Sequence, residues 1–200
     1  MTKSTPSDDA RNSIVIHGHI SATPELFATI FGAHASNESD FEADCAIFAI
    51  NPAAGVDAET INLWKSYDDV QMPRLVIVTV LDGMELDFDD AVMVGSRVFD
   101  PLVTPYLVLH GENGTPIGTI SLQDLSTVDY STTPPTVGQG DDELVTMVEE
   151  FRSEYLESTE EFGAGSFAAG LIFPAIPINP ANGLGIDIAK TYLQELPSRD

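Results

Sequence analysis

The run Leu75-Val-Ile-Val-Thr-Val-Leu81 is the feature that most limits the fold. It is apolar almost throughout, which suits a strand buried on both faces of a sheet. Two further apolar runs, Ser13–Gly18 and Cys45–Ile50, read as companion strands. Between the three lie stretches of helical character: Pro24–Phe31, and Asp57–Asp69 with Ile61 and Trp64 at helical spacing. A further helix is read at about Asp89–Phe99. Strand and helix alternate, the pattern of a parallel α/β sheet with right-handed crossovers.

The rhythm then changes. Pro105–His110 and Pro116–Leu122, joined by Gly111-Glu-Asn-Gly114, read as a β-hairpin. Ser126–Gly140 reads as a Pro/Thr/Gly-rich linker, and Asp141–Glu161 as an acidic amphipathic helix with Leu144, Met147, Val148 and Phe151 on its apolar side. Ala168–Ile178 is expected as a last strand and Leu184–Leu196 as a terminal helix. The Phe/Ala/Gly/Pro-rich stretch 162–180 is either a candidate interaction surface or simply that strand with a flanking loop. The expected organisation is a polar, disordered tail over 1–10, an α/β core over 11–100 and 165–200, and an insertion over 101–164.

Composition bounds the function. Two hundred residues at 43% hydrophobic suffice for one packed domain, and no secretory signal or membrane-spanning run is seen, so a soluble cytoplasmic protein is expected. With 8 basic against 32 acidic residues and a net charge of −24, nucleic acid and anionic membranes are poor partners. A basic protein surface suits it better, although solubility or adaptation to high salt accounts for the acidity equally well. The single Cys45 excludes an internal disulfide and reads as a core residue, and no cysteine/histidine cluster has zinc spacing. Acidic pairs such as Asp68-Asp69, Asp89-Asp90 and Asp141-Asp142 fit solvated helix ends better than a metal site. No G-x-S-x-G elbow organises a hydrolase triad.

The strand, loop and helix over residues 11–27 are laid out like a phosphate-binding P-loop, G-x-x-x-x-G-K-[ST], without its chemistry. Gly18 opens it, but Thr23 stands at the second glycine, Pro24 at the lysine and Glu25 at the hydroxyl residue. Thr23 blocks a close backbone approach, Pro24 removes an amide donor and the ammonium, and Glu25 brings a negative charge to the place of the outer phosphates. The same triplet makes a helix start, with Thr23 as N-cap, Pro24 first in the helix and Glu25 at the positive end of the dipole. From these residues alone, an ordinary βα turn and a degenerate P-loop are both open.

A resemblance adds to this reading. Gly55-Val-Asp-Ala-Glu-Thr-Ile-Asn-Leu-Trp64, Met72-Pro-Arg74 and the strand running to Phe88 resemble the G domain of translation elongation factor G, where a G-V-x-x-x-T-x-x-x-W helix, a V-P-R turn and a strand ending in N-K-x-D-R-x-G-A-D-F occur without gaps. Arg11-Asn12 and Gly18-His19-Ile20 with Ala22 resemble that family's opening, R-N-I-x-I-x-A-H-I-D-A-G-K-T-T. The hairpin, the helix around Phe151–Glu160 and the end from Asn182-Gly183 to Pro197 resemble its inserted subdomain and closing segment.

The resemblance implies an α/β, P-loop-NTPase-like three-layer sandwich with a mostly parallel sheet lacking the switch-region strands, plus a small inserted β-hairpin/helix subdomain. It also implies a guanine site, and here the positions of N-K-x-D hold Thr79, Val80, Leu81 and Asp82. Only Asp82 matches, either as a vestigial guanine contact or as a turn residue at a strand end. The family's D-x-x-G motif, its Gly-Lys pair and its catalytic histidine have no counterpart. His17, His19 and His34 read as surface or core residues. The missing switch block leaves Ser13–Gly18 as a sheet edge, so either a homodimer across it or a cover made by Gly32–Phe41 or the N-terminal tail is expected. The reading is thus of a non-catalytic pseudo-GTPase without cofactor, acting as a protein-interaction or regulatory module. The alternative is a weak GTP/GDP binder with Mg²⁺.

Overall fold

The computed structural model describes residues 12–198 apart from Asp82 and residues 84–86. The tail expected over 1–10 and the guanine-site residue Asp82 lie outside the described residues. Five strands, β1 (Ile14–His17), β2 (His34–Ala35), β3 (Cys45–Ile50), β4 (Arg74–Thr79) and β9 (Ala175–Ile178), form a sheet of order β2-β1-β3-β4-β9. All four pairings in it are parallel.

Burial of both faces explains the apolar runs. Ile14, Ile16, Cys45, Ile47, Leu75 and Ile77 face a layer made by α1 (Pro24–Phe31) and α5 (Ile186–Gln194), through Phe27, Ala28, Ile188 and Ala189. The alternate residues Val15, Ala46, Phe48, Ile50, Val76 and Val78 face α2 (Ala58–Ser66) and α3 (Phe88–Val98), through Leu63, Trp64, Phe88 and Ala91. Each strand residue is committed to one layer or the other, which is what fixes register in a three-layer α/β arrangement.

Between α3 and β9 the chain builds an antiparallel sheet of order β5-β6-β7-β8. Its strands are β5 (Tyr106–His110), β6 (Pro116–Ser121), β7 (Ser126–Asp129) and β8 (Thr136–Gln139). Helix α4 (Asp142–Thr159) covers one face through Leu144, Val148 and Tyr155 on Ile120 and Leu122. Val108, Val128 and Tyr130 pack the other face into the main core, and the Tyr130 hydroxyl donates to Asp187 Oδ1 of α5 at 2.6 Å. The insertion is therefore joined to the α/β core by burial and by a hydrogen bond.

Two expectations are corrected, and one pair of alternatives is decided. The linker expected over Ser126–Gly140 contains strands β7 and β8, paired from Ser126↔Gln139 to Asp129↔Thr136, because its Thr and Val residues favour the pleat and its prolines fall in the turn between them. The strand expected over Ala168–Ile178 is confined to Ala175–Ile178. The residues before it close local turns, with Ala169 N donating to Gly165 O at 3.0 Å and Leu171 N to Ser166 O at 2.9 Å. At β1, of the expected alternatives, the structure has the cover made by Gly32–Phe41. The 32–41 segment supplies β2, whose His34 and Ala35 pair with Val15 and Ile16, so the free edge that a homodimer across Ser13–Gly18 would use is occupied.

Candidate functional site

The C-terminal ends of parallel strands are where open α/β sheets place ligands. Here the loop that follows β1, Asn37 and the first turns of α1 and α2 surround a cavity of about 590 Å³. Gly18, His19, Thr23, Pro24 and Glu25 all line it, joined by Asn37, Asp57, Glu59, Thr60 and Leu63.

The loop that would cradle a phosphate is closed on itself. His19 Nδ1 accepts from Ser21 N at 3.2 Å, Ala22 N donates to His19 O at 2.8 Å, and Thr23 N donates to Ile20 O at 3.0 Å. These bonds wind Ile20–Ala22 into a 3₁₀ turn. Three successive amides thus have partners within the loop, and the next residue, Pro24, has no amide hydrogen. Asn51, at the end of β3, ties the loop down by donating from Nδ2 to Ser21 O at 2.9 Å. Phosphate recognition at a helix start needs those amides turned outward.

Gly18 has a structural reason to be glycine. Its φ is +152°, and a Cβ there would lie 2.6 Å from Ala49 O. It lets β1 leave the sheet close against β3, a role independent of any ligand. Thr23 stands at the N-cap of α1 as the sequence implies, but its side chain makes no capping hydrogen bond. Its φ of 52° and ψ of 51° are left-handed, a conformation that costs a β-branched residue about 1–2 kcal/mol. The backbone thus keeps a geometry suited to glycine at the very position where the motif would have one.

The cavity's charge opposes an anion. Glu25, Asp57 and Glu59 line it, and among the described residues no lysine or arginine does. Asp57 caps α2, accepting from Thr60 N at 2.7 Å. Among the described residues, no group of three or more His, Cys, Asp or Glu side chains could hold a metal ion.

The second expected half-site lies elsewhere. Thr79 ends β4 with its Oγ1 buried and without a hydrogen-bond partner, and it lines neither that cavity nor the one beside Val80. Val80 is buried in the apolar core, its amide donating to Ile178 O at 2.8 Å. It lines a separate cavity of about 210 Å³ with Leu81, Phe88, Val108, Leu144 and Met147. Among the described residues, none is common to the linings of the two cavities.

Three of the four histidines, His17, His19 and His34, sort by environment. His17 is fully buried. Its Nδ1 lies 2.6 Å from Ser36 O, a pure acceptor, so Nδ1 carries the proton, and Nε2 accepts from the Tyr67 hydroxyl at 2.8 Å. The Tyr67 oxygen in turn accepts from Asp40 N at 2.9 Å. Burial lowers the His17 pKa, so the ring is held neutral. His34 is exposed, with Nε2 3.1 Å from Asp40 Oδ2, and His19 is exposed within the loop. The 36–40 segment is therefore fastened to β1 and to the end of α2. Cys45 is buried in the core, where burial raises its thiol pKa and makes it unreactive.

Sequence reasoning missed Asn51, Asn37 and the α2 contributors Asp57, Thr60 and Leu63. Asp57 carries a readable signal, an N-cap aspartate opening a helix, and Asn51 has one in its place just after a buried parallel strand. Asn37 has none, since only the fold brings its segment beside Gly18.

No family model matches the chain. In sequence it is similar to the elongation factor G-like protein of Mycobacterium tuberculosis, in strains CDC 1551 / Oshkosh and ATCC 25618 / H37Rv, at 27% identity over 180 aligned residues. The match covers 78% of this chain and 25% of the relative, so the chain spans about a quarter of the length of these proteins. In fold it is similar to a crystal structure of a Thermus thermophilus protein, with a TM-score of 0.72 and 17% identity over 95% of this chain and 41% of that one. The resemblance to elongation factor G drawn from the motifs is thus joined by a sequence similarity to an elongation factor G-like protein over 78% of the chain.

Proposed function

We propose that this chain is a translation-factor-related pseudo-GTPase: a P-loop-NTPase-like domain that binds no nucleotide and serves as a protein-interaction or regulatory module in the cytoplasm. The observation that supports it most is the closed loop at Gly18–Thr23, whose amides of residues 21–23 are held by His19 Nδ1, His19 O and Ile20 O. Each lost charge-assisted bond to phosphate is worth about 1.5–3 kcal/mol, so losing several takes a micromolar site beyond physiological use. The separation of Val80 from the Gly18–Glu25 cavity supports the same reading, because a guanine nucleotide needs both half-sites at once.

Isothermal titration calorimetry with GTP and GDP in the presence of Mg²⁺ tests it. The expected outcome is no binding tighter than about 100 μM, a free energy near −5.5 kcal/mol. Tighter binding would return the chain to the second reading, a weak nucleotide-binding relative of a translation factor.

A further inference from the structure

Sheet edges invite pairing unless they are shortened, charged or covered. This molecule manages two of its edges. The edge at β2 is only two residues long. The edge at β9 is covered by Val103, whose amide donates to Phe173 O at 3.0 Å and whose carbonyl accepts from Ala175 N at 2.9 Å.

The edge at β8 is different. All four residues of Thr136-Val-Gly-Gln139 are exposed, with Val137 at 72%, and none is charged or proline. Among the described residues β7 is its one strand neighbour. The strand is also pre-set. Thr132 Oγ1 and Thr136 Oγ1 meet at 3.0 Å at the turn, while at the base Gly140 N donates to Leu125 O at 2.9 Å and Gln139 Nε2 to Asp124 O at 2.7 Å. A strand already held straight loses little freedom when another is added.

Charge selects the occupant. Between Arg97 and Arg152 there is no lysine or arginine, whereas Asp100, Glu112, Asp124, Asp129, Asp141, Asp142, Glu143, Glu149 and Glu150 are all acidic. Asp129 faces Thr136 across the ladder at one end of β8, and Asp141, Asp142 and Glu143 follow its other end. A second copy would bring the same carboxylates against themselves. A segment rich in lysine or arginine would be drawn to both ends of the strand.

We propose that the outer edge of β8 is a docking site for an extended, Lys/Arg-rich segment of a partner protein, added as a fifth strand of the antiparallel sheet. The backbone groups of residues 136–139 that face away from β7 bond the incoming strand, and alternate basic side chains on it reach the acidic ends. The proposal rests on the reading of the chain as an interaction module.

The test uses the full chain with a ten-residue peptide alternating lysine with valine and threonine, and the same peptide with glutamate for lysine. Amide hydrogen exchange followed by NMR reads where each one sits. The lysine peptide is expected to slow exchange within residues 136–139, with affinity falling as salt rises, while the glutamate peptide leaves these amides unchanged. Val137→Lys, at an exposed position, is expected to weaken lysine-peptide binding on the order of tenfold without altering the fold. Protection absent from 136–139, equal binding of both peptides, or protection of these amides by self-association without peptide would each overturn the proposal. Tight nucleotide binding in the calorimetry would overturn the pseudo-GTPase reading and leave this exchange pattern untouched, so the two failures are distinguishable.

Discussion

Two of the stretches that carry the resemblance to elongation factor G differ in what their residues do. In the stretch from Gly55 to Arg74 the matching side chains are structural. Trp64 stacks on Phe99 at 4.3 Å and donates from Nε1 to Asp100 Oδ2 at 2.8 Å. Buried Arg74 lies 4.5 Å from the Trp64 ring and 4.4 Å from the Phe173 ring, and donates to Trp64 O and Asp68 Oδ1. In the stretch from Gly18 to Glu25 the residues that would hold phosphate are replaced, and Gly18 and a left-handed backbone at position 23 are geometric features. A resemblance made of packing residues carries the fold and leaves the chemistry open.

The contrast is sharpest at Arg74. Arg74→Ala removes its contacts with both rings and leaves a cavity in the core, so a loss of about 3 kcal/mol in urea unfolding is expected. Asp68→Ala should cost less than about 1 kcal/mol, because that carboxylate is half exposed. Similar, small losses from both would show that Arg74 is not the anchor its burial implies.

Gly18→Ala comes next. A Cβ set against Ala49 O at that φ should cost about 1–3 kcal/mol, measured the same way, with no change in nucleotide titration. Thr23→Gly should act in the opposite direction, relieving the left-handed strain and raising stability by about 1 kcal/mol, less glycine's extra chain entropy. A destabilised Thr23→Gly would mean that the threonine side chain contributes packing that outweighs its strain.

The subtlest effect is a pH dependence. The folded chain holds His17 neutral and lowers its pKa by burial, whereas the unfolded chain protonates it below the ordinary value near 6.5. Its contribution to stability is therefore fully present above that value and is lost as pH falls below it towards the folded pKa. In chemical denaturation between pH 7.5 and 5, His17→Asn should flatten this component relative to the unaltered protein. Identical slopes in the two proteins would rule out His17 as its source.

The main sheet was largely legible. Pro24–Phe31 and Cys45–Ile50 have the bounds their sequence suggests, because a proline start and a six-residue apolar run are strong local signals. What escaped depends on partners distant in the chain. A two-residue strand such as β2 has no period to read, and it exists because β1 offers an edge and His17 anchors Ser36. Strand β8 lies behind two prolines and contains a glycine, so its composition argues for a linker until β7 pairs with it. The Thr23–Glu25 substitutions were visible, but the bonds that close the loop were not, since they involve backbone groups and the distant side chain of Asn51.

The fastening of residues 36–40 by His17 and Tyr67 has a consequence for how such a protein could convey information. A molecular clock needs a part that occupies one position before an event and another after it. Here the segment beside the first strand is held by a buried, neutral histidine, directly at Ser36 and through the Tyr67 hydroxyl at Asp40. On the proposed reading this segment is no such part: it holds one position.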